Sequence, residues 1–461
     1  MAVDPSQVED ALAAVVGAAH VEVGDAVGVD LTHDEALGLG PVRPLGVVHP
    51  GSTDEVAAVV RWAADVGVPL TARGSGTGLS GACLPRSDGL VVAFDRMADI
   101  VEIDPDDQVA VVRPGVTLAQ LDAETDAHGL VYPVFPGESS ASLGGNVATN
   151  AGGMRAVRYG VTRHNVLGLT AVTGRGDVIR TGGRFVKSTS GYDLTQLVIG
   201  SEGTLALTTE AILRLHPRLT HGATILVPFP DLEHIAAAVP RVVASGIGPT
   251  ILEYIDLVTM GAITANVGLD LGVPPDVQAA ALAYLVVVLE SRTEARVEED
   301  TAELAALVGA MGALDVYVLP SGAGAALIDA REKAFWTAKA AGAHDIVDVV
   351  VPRSRIPDYL ARCQELAAQH ESLVVGCGHA GDGNVHLSVF QPDDEVRSRL
   401  MSAVLGTGVE LGGAVSGEHG IGRSKKRYFL ESVDPTAVEL MRGIKATFDP
   451  AGVLNPGAIF D

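Results

Sequence analysis

Apolar positions recur with helical spacing in several segments, and three of these segments open with the same start signal. Ser6–Glu9, Ser52–Glu55 and Thr117–Gln120 have the form of capping boxes, in which the side chains at both ends bond the backbone at a helix start. Glycine ends the second helix at Gly67 and the third at Gly129. The pattern therefore predicts three helices in the first 130 residues.

Short apolar runs lie between and after these helices, and they predict strands. In the first part of the chain the predicted strands are Val68–Arg73, Leu90–Phe94 and Gln108–Arg113. After His216-Pro217 the glycine-rich motifs thin out and longer helical stretches follow. The predicted elements there are strand Ala281–Leu289, helix Arg296–Leu307, helix Ser354–His370, strands Leu373–Cys377 and Val385–Phe390, and a helix from Asp434-Pro435 to Phe448. Both parts therefore mix helices and strands, with a boundary near residue 217.

Composition narrows the class of protein. The 461 residues are 47% apolar and 19% charged, which excludes a disordered chain and fits two or three domains of about 150 residues. The net charge of −25 disfavours nucleic acid as a partner. An anionic substrate would need a local cation in so acidic a protein.

The cysteines, the N-terminal residues and the apolar runs indicate the cellular compartment of the protein. Cys83, Cys363 and Cys377 stand apart, so a disulfide framework, a cysteine-rich zinc site and an iron–sulfur cluster are disfavoured. The first ten residues lack the basic and apolar regions of a signal peptide, and the longest apolar run, Ala279–Leu289, is too short for a transmembrane helix. We expect a cytoplasmic protein without a transmembrane segment.

A glycine-rich loop, RGSGTGLSG at residues 73–81, follows a predicted strand. Residues 76–81 match G-x-G-x-x-G, yet the stretch from Ala82 to Gly89 is too short and too broken for the crossover helix that a Rossmann fold requires. The loop can still cradle a pyrophosphate with its N–H groups. The alternative is an ordinary surface turn.

Two further stretches are rich in glycine and small polar residues, at 135–153 and 190–204. No apolar periodicity explains the first. Either stretch alone could be a buried loop packed by small side chains. Three such stretches in one half of the chain favour a large, extended cofactor.

These three stretches resemble the flavin domain of the vanillyl-alcohol oxidase / p-cresol methylhydroxylase superfamily. The likeness is greatest to its branch of glycolate oxidase flavin subunit, D-lactate dehydrogenase and D-2-hydroxyglutarate dehydrogenase. The resemblance implies an α+β fold with a two-part FAD-binding domain of the p-cresol methylhydroxylase type over residues 1–217, with its core at 42–217. An α+β substrate (cap) domain with an antiparallel sheet would follow over 218–461, and about residues 420–461 would pack back on the FAD domain.

In that family the three stretches bind FAD. Because the loop holds no histidine or cysteine and Cys83 is its only such neighbour, we expect non-covalent FAD. The resemblance assigns FAD binding to Arg73, Gly74, Ser75, Gly76, Thr77, Gly78, Ser80, Pro136, Gly137, Ser140, Gly144, Gly145, Asn146, Thr149, Asn150, Gly152, Gly153, Glu202, Gly203 and Asn455. The last of these lies in a D-P-x-G-x-L-N-P-G signature that the family also carries.

Histidines and a glutamate cluster in the second part of the chain. His379 and His386 flank a Gly-Asp-Gly turn that could bring both imidazoles to one point, and Glu418-His419 follows within GEHG. Two histidines and a carboxylate suit a divalent metal such as zinc, iron or manganese. Hydrogen-bonded histidines without a metal are the alternative reading.

The resemblance gives these residues roles. The metal-dependent branch carries HxGDGNxH and GEHG, which makes His379, His386 and Glu418 metal ligands, most simply of zinc, and His419 the catalytic base. Arg331, on a predicted helix, matches an arginine that binds the substrate carboxylate, although it could be a solvated helix residue. Lys425, Lys426 and Arg427 have the look of a solvated basic run, one of which could reach the site.

Two departures from the family bear on the substrate. Relatives specific for 2-hydroxyglutarate have a lysine where Ile346 stands and an asparagine where Ser388 stands. Both changes remove groups suited to a second carboxylate. They favour D-lactate or glycolate, with D-2-hydroxyglutarate as the alternative substrate.

The expected reaction is oxidation of a D-2-hydroxy acid to the 2-oxo acid. The metal would bind the hydroxyl, His419 would take its proton, and hydride would pass to the flavin. The electrons would pass to a separate acceptor, which could be a quinone, an electron-transfer protein or a partner subunit. Peripheral attachment to a membrane through that acceptor is left open, and so is a homodimer. The competing readings are a hydrolytic zinc site and a non-catalytic flavin-binding electron-transfer subunit.

Overall fold

The computed structural model describes residues 5–460, with side chains from residue 8 onward. Within that range the strands are β1 (Val21–Val23), β2 (Gly46–Val48), β3 (Leu70–Arg73), β4 (Leu90–Ala93), β5 (Ile100–Asp104), β6 (Val109–Val112), β7 (Leu130–Val131), β8 (Val166–Thr173), β9 (Val178–Gly182), β10 (Ala206–Arg214), β11 (His216–Pro217), β12 (His221–Phe229), β13 (Ile251–Asp256), β14 (Ala283–Ser291), β15 (Tyr317–Val318), β16 (Asp345–Val350), β17 (Leu373–Gly378) and β18 (Asn384–Phe390).

The α-helices of the same range alternate with these strands. They are α1 (Pro5–Val16), α2 (Thr53–Val66), α3 (Leu118–Asp126), α4 (Leu143–Thr149), α5 (Ala156–Tyr159), α6 (Thr162–Asn165), α7 (Leu194–Val198), α8 (Leu232–Ala244), α9 (Leu257–Val267), α10 (Pro275–Ala280), α11 (Glu294–Ala310), α12 (Ser321–Glu332), α13 (Ala334–Ala340), α14 (Ile356–Gln369), α15 (Asp394–Glu410), α16 (Lys426–Ser432) and α17 (Pro435–Phe448).

The strands form three larger sheets and one small two-stranded pair, β11-β7. The first sheet has the order β1-β2-β4-β3, in which β2, β4 and β3 run parallel. The second, β5-β6-β10-β8-β9, and the third, β15-β12-β14-β13-β17-β18-β16, are antiparallel. The fold is therefore the expected α+β arrangement, with an antiparallel sheet in the second half.

Capping contacts explain where the early helices begin. Ser52 Oγ accepts from Glu55 N at 3.2 Å, and Gly67 ends α2 in the left-handed conformation. Thr117 and Gln120 form the complete capping box of α3. The predicted start at Ser6 is wrong, because α1 already includes Pro5, a residue favoured in the first turn of a helix. The side chain of Ser6 lies outside the described ones.

The glycine-rich loop connects two parallel strands without a crossover helix. Residues 74–89 run from β3 to β4 and contain no α-helix, which confirms that the G-x-G-x-x-G match is not a Rossmann turn. The other two stretches are more regular than expected. Ser142 caps α4 through Gly145 N at 3.3 Å, and Asp193 caps α7 through Gln196 N at 3.1 Å.

The two faces of the seven-stranded sheet pack against different helices. One face packs against α8, α11, α14 and α15 in the largest apolar core of the described chain. The other face lies against α9 and α12 and carries the polar side chains of the candidate site. One face of the sheet thus forms part of the apolar core, and the other face carries the candidate site.

A segment near the C-terminus contacts the first sheet. Val453 and Leu454 are buried in the core beneath that sheet, and Leu454 pairs in parallel with Leu70 of β3. Asn455 N donates to Leu70 O at 2.7 Å. Residues far apart in the sequence therefore build the support for the glycine-rich loop.

Candidate active site

The three glycine-rich stretches meet around one cavity of about 180 Å³. The predicted cofactor-binding residues in its wall are Gly74, Ser75, Gly76, Thr77, Gly78, Pro136, Gly144, Gly145, Asn146, Thr149, Gly152, Glu202 and Gly203. Gly137 and Gly153 line a second, adjoining cavity. The fold therefore brings together stretches that are far apart in the sequence.

Five of the predicted cofactor residues lie outside both cavity walls. They are Arg73, Ser80, Ser140, Asn150 and Asn455. Arg73 Nη1 donates to His33 O at 2.6 Å, and Asn455 Nδ2 donates to Ala82 O and Glu202 O, each at 2.8 Å. These contacts support the loops from behind, and direct contact with a cofactor stays a prediction for them.

The first cavity has the features that a dinucleotide needs. The N–H groups of Gly76, Thr77 and Gly78 donate to no group of the described chain, so they are available to phosphate oxygens as an anion-binding nest. A Cβ on Gly152 would lie 2.5 Å from Glu418 Oε2, so a larger residue here would displace the Glu418 carboxylate. The wall therefore fits an extended diphosphate with a flat ring that ends beside Glu418.

The predicted metal ligands converge at the edge of that cavity. His379 follows β17, His386 lies on β18, and the turn between these strands reverses the chain as expected. His379 Nε2 and His386 Nε2 lie 3.0 and 3.1 Å from the same Glu418 oxygen, Oε1. The ligand atoms of all three residues lie within 4.8 Å of one another.

The cluster of two histidines and one glutamate favours a positive charge between its side chains. Burial lowers the pKa of His379, but Glu253 and Glu418 outweigh burial and raise it well above its usual value. Burial likewise raises the pKa of Glu418, and His379 and His386 overcome that effect and hold it well below its usual value. Two imidazoles that face one carboxylate oxygen suit either a proton or a divalent cation between them.

Two acidic residues that orient the ligands were missed by the sequence reasoning. Glu253, on β13, is fully buried, and its Oε1 lies 2.6 Å from His379 Nδ1. Asp348, on β16, is also fully buried, but its Oδ1 lies 3.7 Å from His386 Nδ1, which is too far for a hydrogen bond. A hydrogen-bonded partner such as Glu253 fixes the ring orientation of a metal ligand. The available signal was an acidic residue in the middle of an otherwise apolar strand sequence.

Asp348 also holds the segment that carries Glu418 and His419. Its Oδ2 accepts from the N–H groups of Gly417, Glu418 and His419 at 3.1, 3.1 and 2.8 Å. The hydroxyl of Ser416 donates to the same oxygen at 2.7 Å. One carboxylate thereby sets the backbone of the whole GEHG turn.

Arg331 is buried rather than solvated. Its Nη2 lies 2.6 Å from Glu253 Oε2, and its Nε has no hydrogen-bond partner among the described residues. Arg331 lines the second cavity together with His379 and His386. The guanidinium can therefore bind an anion there.

The basic run that follows GEHG is not uniformly solvated. Lys425 is only 2% exposed, and its Nζ lies 3.8 Å from Asp348 Oδ2, whereas Arg427 is exposed. The prediction of a solvated run is therefore wrong for Lys425, which lies beside Asp348 as the alternative of one residue reaching the site allowed. Its ammonium is needed inside because the carboxylate of Asp348 is buried without solvent.

His419 lies where the two cavities meet. Both walls include Leu79, Pro136, Glu418 and His419. Burial lowers the pKa of His419 to about 4, and Lys425 and His386 act in the same direction against Asp348. The imidazole is therefore neutral at pH 7.

Two protein families match the chain over the parts just described. Residues 44–182 match the family described as FAD binding domain. Residues 218–459 match FAD linked oxidases, C-terminal domain. The chain belongs to the FAD-linked oxidase family. This FAD-linked oxidase is thus an oxidoreductase, and most of the wall of its glycine-lined cavity comes from the residues matched by the flavin-binding family.

Individual relatives of the FAD-linked oxidase cover nearly its whole length. An uncharacterized FAD-linked oxidoreductase of Mycobacterium tuberculosis is 54% identical over 97% of both chains. The D-lactate dehydrogenase of Anaerostipes hadrus is 35% identical over 95% of this chain and 94% of its own. Among solved structures, p-cresol methylhydroxylase with substrate bound has a TM-score of 0.78 at 16% identity, over 99% of this chain and 97% of its own, and so shares the fold.

Within the described range, no helix combines the length and the apolar character needed to cross a bilayer.

Proposed function

We propose that this FAD-linked oxidase converts a D-2-hydroxy monocarboxylate to the 2-oxo acid. The observation that carries the proposal is the position of Glu418 and His419, which form part of both cavity walls. A substrate in the second cavity would have its carbinol carbon between these side chains and a flavin in the first. The sequence similarity to a D-lactate dehydrogenase supports the same class of substrate and the D configuration.

The chain's own residues divide the work as follows. Arg331 binds the substrate carboxylate, because its guanidinium is buried in the cavity wall and has donors to spare. His419 accepts the proton of the hydroxyl, since it is neutral at pH 7 and lies at the junction. Glu253 and Asp348 position these groups from behind.

Two groups would complete the site. FAD, held by the glycine-lined wall, would take up the hydride from C2 and supply the redox chemistry. A divalent metal, held by His379, His386 and Glu418, would acidify the hydroxyl and polarise it. Zinc is the simplest candidate for these donors, and iron or manganese would suit them too.

A monocarboxylate fits the wall better than a dicarboxylate. Ile346 and Ser388 face each other across β16 and β18, and both line the second cavity. Neither offers a cation to a distal carboxylate, whose burial without a partner is costly. D-2-Hydroxyglutarate therefore remains only the alternative substrate.

The test is the visible spectrum of the purified protein before and after anaerobic addition of D-lactate, with L-lactate as the control. We expect a flavin band that D-lactate bleaches and L-lactate leaves in place. The variant His386→Ala should retain the band but lose the bleaching, because it removes a metal ligand outside the wall of the flavin cavity.

The outcomes separate the parts of the proposal. A flavin band that no 2-hydroxy acid bleaches, in protein reconstituted with metal, would refute the proposed reaction and leave the fold intact. Full activity of His386→Ala would refute the metal site alone.

A further inference from the structure

The second cavity extends well beyond the catalytic groups. It has a volume of about 440 Å³, which is within the range of about 300–1,000 Å³ typical of sites for drug-sized ligands. Its floor is one face of β16, β18 and β17, and its roof is made of residues from α9 and α13. A site for lactate alone would not need this volume.

The register of the three floor strands arranges their side chains in layers. Asp348, His386 and Cys377 are directly paired and form the first layer. Two residues further along β18, Ser388 pairs with Ile346 on one side and Val375 on the other. Phe390 pairs with Leu373 in a third layer. The chemistry is thus confined to the first layer.

The outer two layers have little to offer a charged group. Among the described residues that line the cavity, the charged or titratable side chains are Arg331, Glu332, Cys377, His379, His386, Glu418 and His419. None of these belongs to the second or third layer. On that part of the floor the hydroxyl of Ser388 is the one polar side-chain group, so a second carboxylate or an ammonium would be buried there without a partner.

Strand geometry sets the length of this apolar floor. Residues two apart on a strand are separated by about 6.8 Å, so the second layer lies about 7 Å and the third about 14 Å from His386. The methyl carbon of lactate lies one C–C bond, about 1.5 Å, from C2. With C2 held beside His419, that methyl group leaves the second layer unfilled.

The far end of the cavity is apolar and reaches solvent. Leu373 is 51% exposed and Val258, in the roof, is 55% exposed. Phe390 and Ala341 complete this end of the wall. Exposed side chains of this kind leave a path along which a longer chain can continue.

We propose that the preferred substrate is a D-2-hydroxy acid with an extended apolar side chain of four or more carbons. The proposal rests on the proposed function, since it places the carboxylate at Arg331 and the carbinol at His419. The side chain then lies over Ile346 and Val375 and points toward Phe390. Glycolate and D-lactate would be poor substrates of the same site.

A homologous series of substrates tests the inference. The sodium salts of glycolate, D-lactate, D-2-hydroxybutanoate, D-2-hydroxyhexanoate and D-2-hydroxydecanoate are compared by kcat/KM on the reconstituted holoenzyme, with D-2-hydroxyglutarate as the charged control. Each buried methylene is expected to raise kcat/KM by about fourfold, or about sixtyfold from D-lactate to D-2-hydroxyhexanoate. Binding of pyruvate and 2-oxohexanoate, followed by the perturbation of flavin absorption, should show a ratio of dissociation constants of the same size.

Three variants test where in the cavity the substrate side chain binds. Ile346→Lys should abolish the gain for D-2-hydroxyhexanoate and improve D-2-hydroxyglutarate. Leu373→Lys, at a position that is already half exposed and so tolerant of lysine, should weaken D-2-hydroxydecanoate but not D-2-hydroxybutanoate. Leu440→Lys, an equivalent change at a 67% exposed position on α17, should retain the wild-type series.

The two levels of the proposal fail differently. Equal or better kcat/KM for glycolate, D-lactate or D-2-hydroxyglutarate than for D-2-hydroxyhexanoate would overturn the apolar side chain while leaving the reaction class intact. Bleaching by none of the acids would overturn the proposed function itself.

Discussion

Replacing Asp348 with asparagine should destabilise the candidate site. The carboxylate is fully buried and receives four hydrogen bonds at Oδ2 from the backbone and hydroxyl groups of residues 416–419. Asn384 Nδ2 donates to its Oδ1 at 2.9 Å. An amide nitrogen in either position would face donors instead of accepting from them.

The larger cost comes from Lys425. Its ammonium is 2% exposed and lies 3.8 Å from Asp348 Oδ2, so Asp348→Asn leaves a buried cation without its partner. Breaking a buried ion pair in this way costs about 3–5 kcal/mol. For a unit of about 240 residues, at about 2–4 °C per kcal/mol, the apparent Tm should fall by about 6–20 °C.

A double-mutant cycle isolates the pair. Asp348→Asn, Lys425→Met and the double variant are compared with wild type by thermal unfolding of the flavin-loaded protein. The double variant should be less destabilised than the sum of the single variants, by at least about 2 kcal/mol, because it leaves no unpaired charge. Additive effects, or a Tm of Asp348→Asn within 2 °C of wild type on this scale of about 2–4 °C per kcal/mol, would refute the reasoning.

Three further predictions concern the substrate, pH and the metal. Arg331→Ala should raise KM for the hydroxy acid by about tenfold or more, the value of a charge-assisted hydrogen bond, with flavin content unchanged; an unchanged KM in steady-state assays would move the carboxylate site elsewhere. Burial raises the pKa of Glu202 to about 7 from an ordinary 4.5, so wild type should lose about 3 kcal/mol of stability as pH rises from 4.5 through 7, and Glu202→Gln should flatten that fall in a Tm-versus-pH series. Dialysis against a strong chelator should stop bleaching by D-lactate without removing flavin, and titration with zinc, manganese or ferrous ion should restore it; bleaching by verified metal-free protein would exclude a metal role.

The local signals in the sequence predicted the helices and strands better than they predicted the buried residues that hold the site in place. Ser52, Thr117 and Gly67 act where their chemistry is local, within one turn of the helix they bound, so a single sequence displays the whole interaction. The hairpin that brings His379 and His386 together is equally local. Such features depend on a few neighbouring residues and can therefore be predicted from the sequence alone.

The residues that escaped notice act at long range. Asp348 bonds residues about seventy positions away, and Glu253 meets His379 across 126 positions, so no spacing rule connects them. The burial of Lys425 was not predicted for the same reason, because it belongs to a basic run that includes the exposed Arg427 and its partner is a distant buried carboxylate. Only the fold shows which acidic residue of an apolar strand faces the site.

The pairing of Leu454 with Leu70 also has a consequence for the order in which the molecule can be assembled during synthesis. The edge strand β3, which leads into the glycine-rich loop, acquires its neighbour only when residues 453–455 leave the ribosome, some 380 residues later. The large seven-stranded sheet has by then been translated, and it can fold while the first sheet still waits with an open, apolar edge. Aggregation of nascent chains should therefore be most severe for truncations that end just before residue 453, and a peptide that spans 445–460, supplied in trans, should reduce it.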